Sequence, residues 1–159
     1  MLRISKVSWE AICQHARETF PEECCGVIVG GAGQEEVRRM TNAQNALHQK
    51  DPVAYPRNAT TAYFMDAKEL LALLQEVDTR HLTLKAFYHS HPNHGAYFSA
   101  EDKARAMFDD EPAYPDSAHL VVSIYDQEVR EAKAFAWEPE KRDFVAIPLI
   151  IEDFSEKGG

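Results

Sequence analysis

The chain has 159 residues, 45% of them apolar and 27% charged, which suits one domain at residues 1–150 and a polar tail at 151–159. A formal net charge of −9, with only isolated basic pairs such as Arg38-Arg39 and Lys141-Arg142, argues against a nucleic-acid partner, because phosphate binding needs clustered Lys and Arg. No run reaches the ~18 apolar residues of a membrane span, residues 1–5 turn polar too early for a signal peptide, and three cysteines without a CxxC pair indicate a reduced, cytoplasmic setting.

Residues 2–7 read as a short strand, and Ser8 as the N-cap of a helix with Trp9, Ile12, Cys13, Ala16 and Phe20 on one stripe. Pro21 ends it. The apolar run at 24–30 predicts a buried strand, followed by the turn Gly30-Gly31-Ala32-Gly33 and a more polar strand at 36–40. Residues 42–60 hold Pro52 and Pro56 and lack periodicity, which predicts a long loop, with a short strand at 62–65 after it. Asp66 with Glu69 three residues on resembles a capping box, and opens a helix carrying Leu70, Leu71, Leu73, Leu74 and Val77. Then come a strand at 82–88, a helix at 100–108 and a loop at 109–116. Strands at 118–125, 129–137 and 143–150 close the chain, the first two joined as a hairpin. This order predicts an α/β fold with a mixed central β-sheet and flanking helices.

The chemistry concentrates after residue 88. In a strand, residues i and i+2 share a face, so His89 and His91 present both imidazoles to one side. Ser99 follows eight residues after His91 and Asp102 three further on, a loop returning to the first turn of a helix. Two imidazole nitrogens and a carboxylate make a three-ligand set that leaves a fourth position on zinc for water. Each half also has an ordinary structural reading. The histidines can be plain buried or surface residues, and Ser99-x-x-Asp102 is a helix-capping pattern.

Taken together, His89-Ser90-His91-Pro92 with Ser99 and Asp102 resembles the signature H-[ST]-H-P-x(6)-S-x-x-D of the JAMM (MPN-plus) metalloprotease family. Upstream, Pro21-Glu22-Glu23-Cys24-Cys25-Gly26 precedes an apolar strand and resembles the family's P-x-E-x-C-G segment. That places Glu23 at the glutamate position, 66 residues before His89. The order of elements through residue 125 is similar to that of compact prokaryotic members. One departure is Phe98, where many relatives have proline.

The resemblance implies a JAMM/MPN, cytidine-deaminase-like fold and a Zn²⁺ ion on His89, His91 and Asp102. It implies that Glu23 acts as general base and then acid, and that Ser99 donates to the developing oxyanion. The implied substrate is the bond after the C-terminal glycine of a ubiquitin-like or sulfur-carrier protein. His94 matches no ligand position, and a fourth protein ligand would close the site, so His94 is expected to face solvent. His15, His48, His81 and His119 are read as ordinary, and Cys24 and Cys25 as small packing residues. The alternative is a zinc-stabilised scaffold or interaction module, which would need no Glu23. A zinc deaminase is disfavoured because H-x-E with P-C-x-x-C is absent. Gly158-Gly159 is read as incidental, and the oligomeric state stays open.

Overall fold

Ser5, not Ser8, caps the first helix. The computed structural model describes residues 1–31 and 33–153, and in it β1 (Leu2–Ser5) stops short of the expected boundary. The Ser5 side chain accepts from Ser8 N at 3.0 Å, so helix α1 (Lys6–Thr19) begins one residue later. Ser8 lies inside the first turn, where its buried hydroxyl donates to Glu35 Oε1 at 2.6 Å. A capping serine and a buried serine three apart look alike in sequence; the second has a long-range partner.

The apolar run after Pro21 becomes β2 (Cys25–Gly31), pairing antiparallel with β3 (Gln34–Met40). The turn between them includes Gly33, whose φ of +78° suits a residue without Cβ. Its neighbour Ala32 lies outside the described residues. The stretch expected to be a loop contains α2 (Gln44–Lys50). The strand expected at 62–65 is reduced to one bridge, Asn42 to Met65. α3 (Ala67–Thr79) starts as expected, with the Asp66 side chain accepting from Glu69 N.

β4 (Thr83–Pro92) runs four residues past the expected end, so the histidines lie within the strand and not beyond it. α4 (Ala100–Arg105) is shorter than expected, and β5 (Met107–Phe108) and β6 (Glu111–Pro112) form a small hairpin next to it. Asp109 and Asp110 take positive φ at its turn, which aspartate tolerates better than most residues. β7 (Ala118–Tyr125) and β8 (Glu128–Glu138) form the expected hairpin. Pro148 divides the last expected strand into β9 (Asp143–Ile147) and β10 (Leu149–Glu152), because proline cannot donate to a ladder. β10 pairs in parallel with β1, which carries Ile151 and Glu152 into strand pairing with Ile4 and Ser5. Gly158-Gly159 lies outside the described residues.

The main sheet has six strands in the order β3-β2-β4-β7-β8-β9. Only β4 and β7 pair in parallel, so the sheet is mixed, as expected. Alternation along β4 sorts its side chains between two layers. Ala86 and Tyr88 join Ile4, Ile12, Ile28, Leu120 and Val122 on the α1 side. Phe87 joins Val27, Val29, Met65 and Leu73 on the α3 side. His89 and His91 share the phase of Phe87, so the motif faces the α3 and α4 side. No helix among the described residues is long and apolar enough to cross a membrane.

Candidate metal centre

β4 pairs with β7 at both histidines and with β2 as far as His89, so His89 is held from two sides and His91 from the β7 side. His89 sits opposite Cys25 on one side and Val121 on the other. The side chains converge: His89 Nε2 lies 3.1 Å from His91 Nε2, and Asp102 Oδ2 lies 3.2 Å and 3.0 Å from those two nitrogens. Ligands ~2.0–2.1 Å from a tetrahedral zinc stand roughly 3.3 Å apart, so this triangle has about the size of one tetrahedral face.

Asp102 reaches this triangle from the first turn of α4. Ser99 Oγ accepts from Asp102 N, and Asp102 Oδ2 accepts from Ser99 N, each at 3.0 Å, a complete capping box. The capping reading holds, and the capping carboxylate still lies within reach of both imidazoles. Burial alone would raise the Asp102 pKa, but the His89 and His91 imidazoles overcome it and hold the carboxyl well below the usual range. Burial lowers His89, with Asp102 opposing, which favours the neutral imidazole that a metal requires.

The neighbours orient these groups. His91 Nδ1 contacts Gly95 O at 2.8 Å, and donating there leaves Nε2 free to ligate. The Tyr63 ring stacks on His89, with centroids 4.4 Å apart and planes 25° from parallel. His94 is not solvent-facing as expected: it is half-buried and stacks on His91 at 4.3 Å. The loop carrying it is tied down from β7 and β8, since Ser123 Oγ donates to His94 O and Ala96 N donates to Glu131 Oε1. Phe98, the departure from the family pattern, fills an aromatic cluster with His119, Phe135 and Phe144 at 5.1–5.3 Å.

Glu23 comes from the chain just before β2. It is 1% exposed, and its Oε1 has no hydrogen-bond partner among the described residues. Single ligand atoms of Glu23, His89 and His91 lie within 4.8 Å of one another. Burial, with Asp102 and Glu101 adding negative charge, pushes the Glu23 carboxyl up to about 9. A buried carboxyl oxygen with no partner, near two imidazoles and an aspartate, fits a divalent cation and its water, and the positive charge of such a cation would favour the ionised carboxylate that burial opposes.

A comparison with known families matches residues 5–138 to the prokaryotic homologs of the JAB domain. The chain belongs to this family. It is similar to a desampylase of Haloferax volcanii, 31% identical over 118 residues that make up 72% of this chain and 74% of that protein. It is also similar to the CysO-cysteine peptidase of Mycobacterium tuberculosis, 28% identical over 128 residues, 79% of this chain and 75% of that one. A JAB1/MPN domain protein of Archaeoglobus fulgidus has the same fold, with a TM-score of 0.55 at 14% identity, covering 96% of this chain and 100% of the other. Relatives of this kind place the chain among hydrolases.

Within this JAB domain, sequence reasoning missed the residues that set Glu23 in place. Ser90, between the two histidines, is fully buried, and its Oγ accepts from Cys24 N at 2.8 Å. Glu23 N donates to Ala59 O at 2.7 Å, and Asn42 Nδ2 donates to Glu23 O at 2.9 Å. Ser90 was legible as part of the motif, but only as a spacer; Ala59 and Asn42 gave no signal at all. Cys24 and Cys25 are 2% and 0% exposed, and burial raises both thiols, Cys24 to about 12, so they pack and do not react.

Proposed function

We propose that this chain is a zinc-dependent peptidase or isopeptidase that cleaves after the C-terminal glycine of a ubiquitin-like or sulfur-carrier protein. The observation that carries the reading is Glu23, a buried carboxyl group whose Oε1 has no partner and one of whose oxygens lies within 4.8 Å of the His89 and His91 nitrogens. A scaffold needs no such group. His89, His91 and Asp102 would hold the ion, and zinc, when bound, supplies acidified water with a pKa near ~7. Glu23 would take the proton removed from the nucleophilic water and pass it to the leaving amine. Ser99 Oγ already accepts from Asp102 N, which leaves its own proton free to donate to the oxyanion formed at the scissile carbonyl. The names of the two relatives, a desampylase and a CysO-cysteine peptidase, supply the substrate class.

Intact-mass analysis of ubiquitin-like and sulfur-carrier fusions, incubated with the protein with and without a chelator, tests the reading. Cleavage after glycine that the chelator abolishes is expected. A failure to cleave any fusion would favour the scaffold.

A further inference from the structure

A cavity lies on the α3 and α4 side of the sheet, below the triangle. It holds about 130 Å³, and Tyr63, Leu70, Phe87, Arg105, Ala106 and His119 are among its walls. Its position follows from the elements that carry the candidate ligands. Phe87 lies two residues before His89 on the same face of β4, roughly 7 Å along the strand. Ala106, the C-cap residue of α4, lies four residues beyond Asp102, about one turn further on. Tyr63 forms a wall of the cavity and also stacks on His89. The Tyr63 ring is thus common to the cavity wall and to the surroundings of His89.

The lining is mainly aromatic and aliphatic, with two polar groups left over. His119 is 5% exposed and its Nδ1 has no hydrogen-bond partner; Arg105 Nε is buried and unpartnered too. The Arg105 guanidinium is held over the Phe64 ring, 4.9 Å from its centroid. No carboxylate lines the cavity among the described residues. The same guanidinium lies 3.8 Å from Glu101 Oε1, outside the lining, so a lysine or arginine side chain entering the pocket would lose its water beside a cation that already has its counter-charge. The volume, close to that of a ~150 Å³ cavity known to hold benzene, suits a side chain of about four to six heavy atoms.

We infer that this cavity receives the side chain of the residue released from the glycine, and that it selects an uncharged, medium-sized one such as leucine or methionine. The inference rests on the peptidase reading above. Glycine, on the other side of the scissile bond, has no side chain to fill a pocket. The first side chain available near the candidate metal therefore belongs to the leaving residue.

The test uses the zinc-loaded protein and a carrier fusion ending Gly-Gly-X, with X as Gly, Met, Leu, Lys or Glu. Met and Leu are expected to exceed Gly in kcat/KM by about 10-fold or more, with Lys and Glu both below Gly; Glu at or above Met would overturn the selection of an uncharged side chain. Ala106→Met should fill the cavity and shrink the Met-to-Gly ratio toward one; Arg105→Met should relax the rejection of Lys. Equal rates for every X overturn the inference, and so does a preference that follows the residue before Gly-Gly instead. A readout without turnover separates this failure from failure of the peptidase reading. Methyl NMR signals of Met65, Leu70 and Ala106 should shift when methionine amide is titrated in, and stay unmoved with glycine amide. Unmoved signals with both amides overturn the pocket even if fusions are cleaved. Shifted signals without cleavage of any fusion support the pocket as a binding site and overturn the peptidase.

Discussion

Ser90→Ala removes a single oxygen from a fully buried residue, and the cost can be worked out from its contacts. Ser90 Oγ accepts from Cys24 N at 2.8 Å, and Ser90 N donates to Cys24 O at 3.1 Å. The second bond survives the substitution; the first does not. Cys24 is 2% exposed, so its N–H is left without water or a partner, which costs about 1–3 kcal/mol. With a urea slope of about 2 kcal/mol per molar, a loss of about 2 kcal/mol moves the midpoint down by about 1 M. The functional effect should exceed the effect on stability. Glu23 is the residue before Cys24, and an error of about 1 Å in a reacting group can cost ~10²-fold in rate. Urea denaturation, zinc content and kcat/KM on the cleaved fusion are measured together. The expected variant keeps its zinc, loses about 1 M in midpoint and loses turnover by one to two orders of magnitude. An unchanged midpoint with unchanged kcat/KM would refute the claim that Ser90 sets the position of Glu23.

Other substitutions separate the parts of the site and the fold. Asp102→Ala should reduce zinc from about one per chain to a trace by elemental analysis, whereas Glu23→Gln should keep the metal and lose ~10²–10⁴-fold in rate. Full activity in Glu23→Gln would end the base assignment. Gly26→Ala would place a Cβ 2.5 Å from the Tyr88 ring, so thermal denaturation should show a loss of about 1–3 kcal/mol or more. His15, held 2.7 Å from Tyr88 Oη, has its pKa lowered from 6.5 to about 4 by burial and then by Arg39. The unfolded chain therefore takes up this proton first, and stability falls as the pH drops from about 6.5 to about 4, by at most about 3 kcal/mol. His15→Gln should show a shallower fall in urea midpoint between pH 7 and pH 5 than the wild type; equal slopes would refute the assignment.

The parts of the fold legible in the sequence are those whose signal is local. The His89 and His91 pair, the Ser99 and Asp102 cap, the apolar run of β2 and the hairpin of β7 and β8 all follow from periodicity or from caps within a few residues. The differences arise where the deciding partner is distant. Ser8 reads as a cap until Glu35 reaches it from β3. Residues 42–60 lack periodicity, yet α2 forms there because Asn45 is held at both ends, by Glu22 and by Ala59 N. The 143–150 run reads as one strand because proline's missing donor matters only once the ladder is built. His94 looked solvent-facing because stacking on His91 depends on how tightly Ser123 and Glu131 hold its loop.

The same contrast explains how the site is assembled. The three candidate ligands come from one stretch of 14 residues, His89 to Asp102, so a strand and the next helix suffice to form the triangle. Glu23 comes from 66 residues away, and the antiparallel pairing of β2 with β4 brings it near. Pairing alone fixes the register from Cys25 onward, because Glu23 lies beyond the end of the ladder. Its backbone is held instead by Ala59 O and by the Asn42 side chain, and its neighbour Cys24 by Ser90. The segment at 42–60 thus holds the backbone of the proposed base, and it reaches the ligand helix α4 through the Arg57–Glu101 ion pair at 2.9 Å. Under the proposed function, metal binding and proton transfer would therefore be separable. The first would depend on a local motif that most disturbances elsewhere leave intact. The second would depend on three long-range hydrogen bonds, any one of which could fail without loss of the proposed ligand triangle.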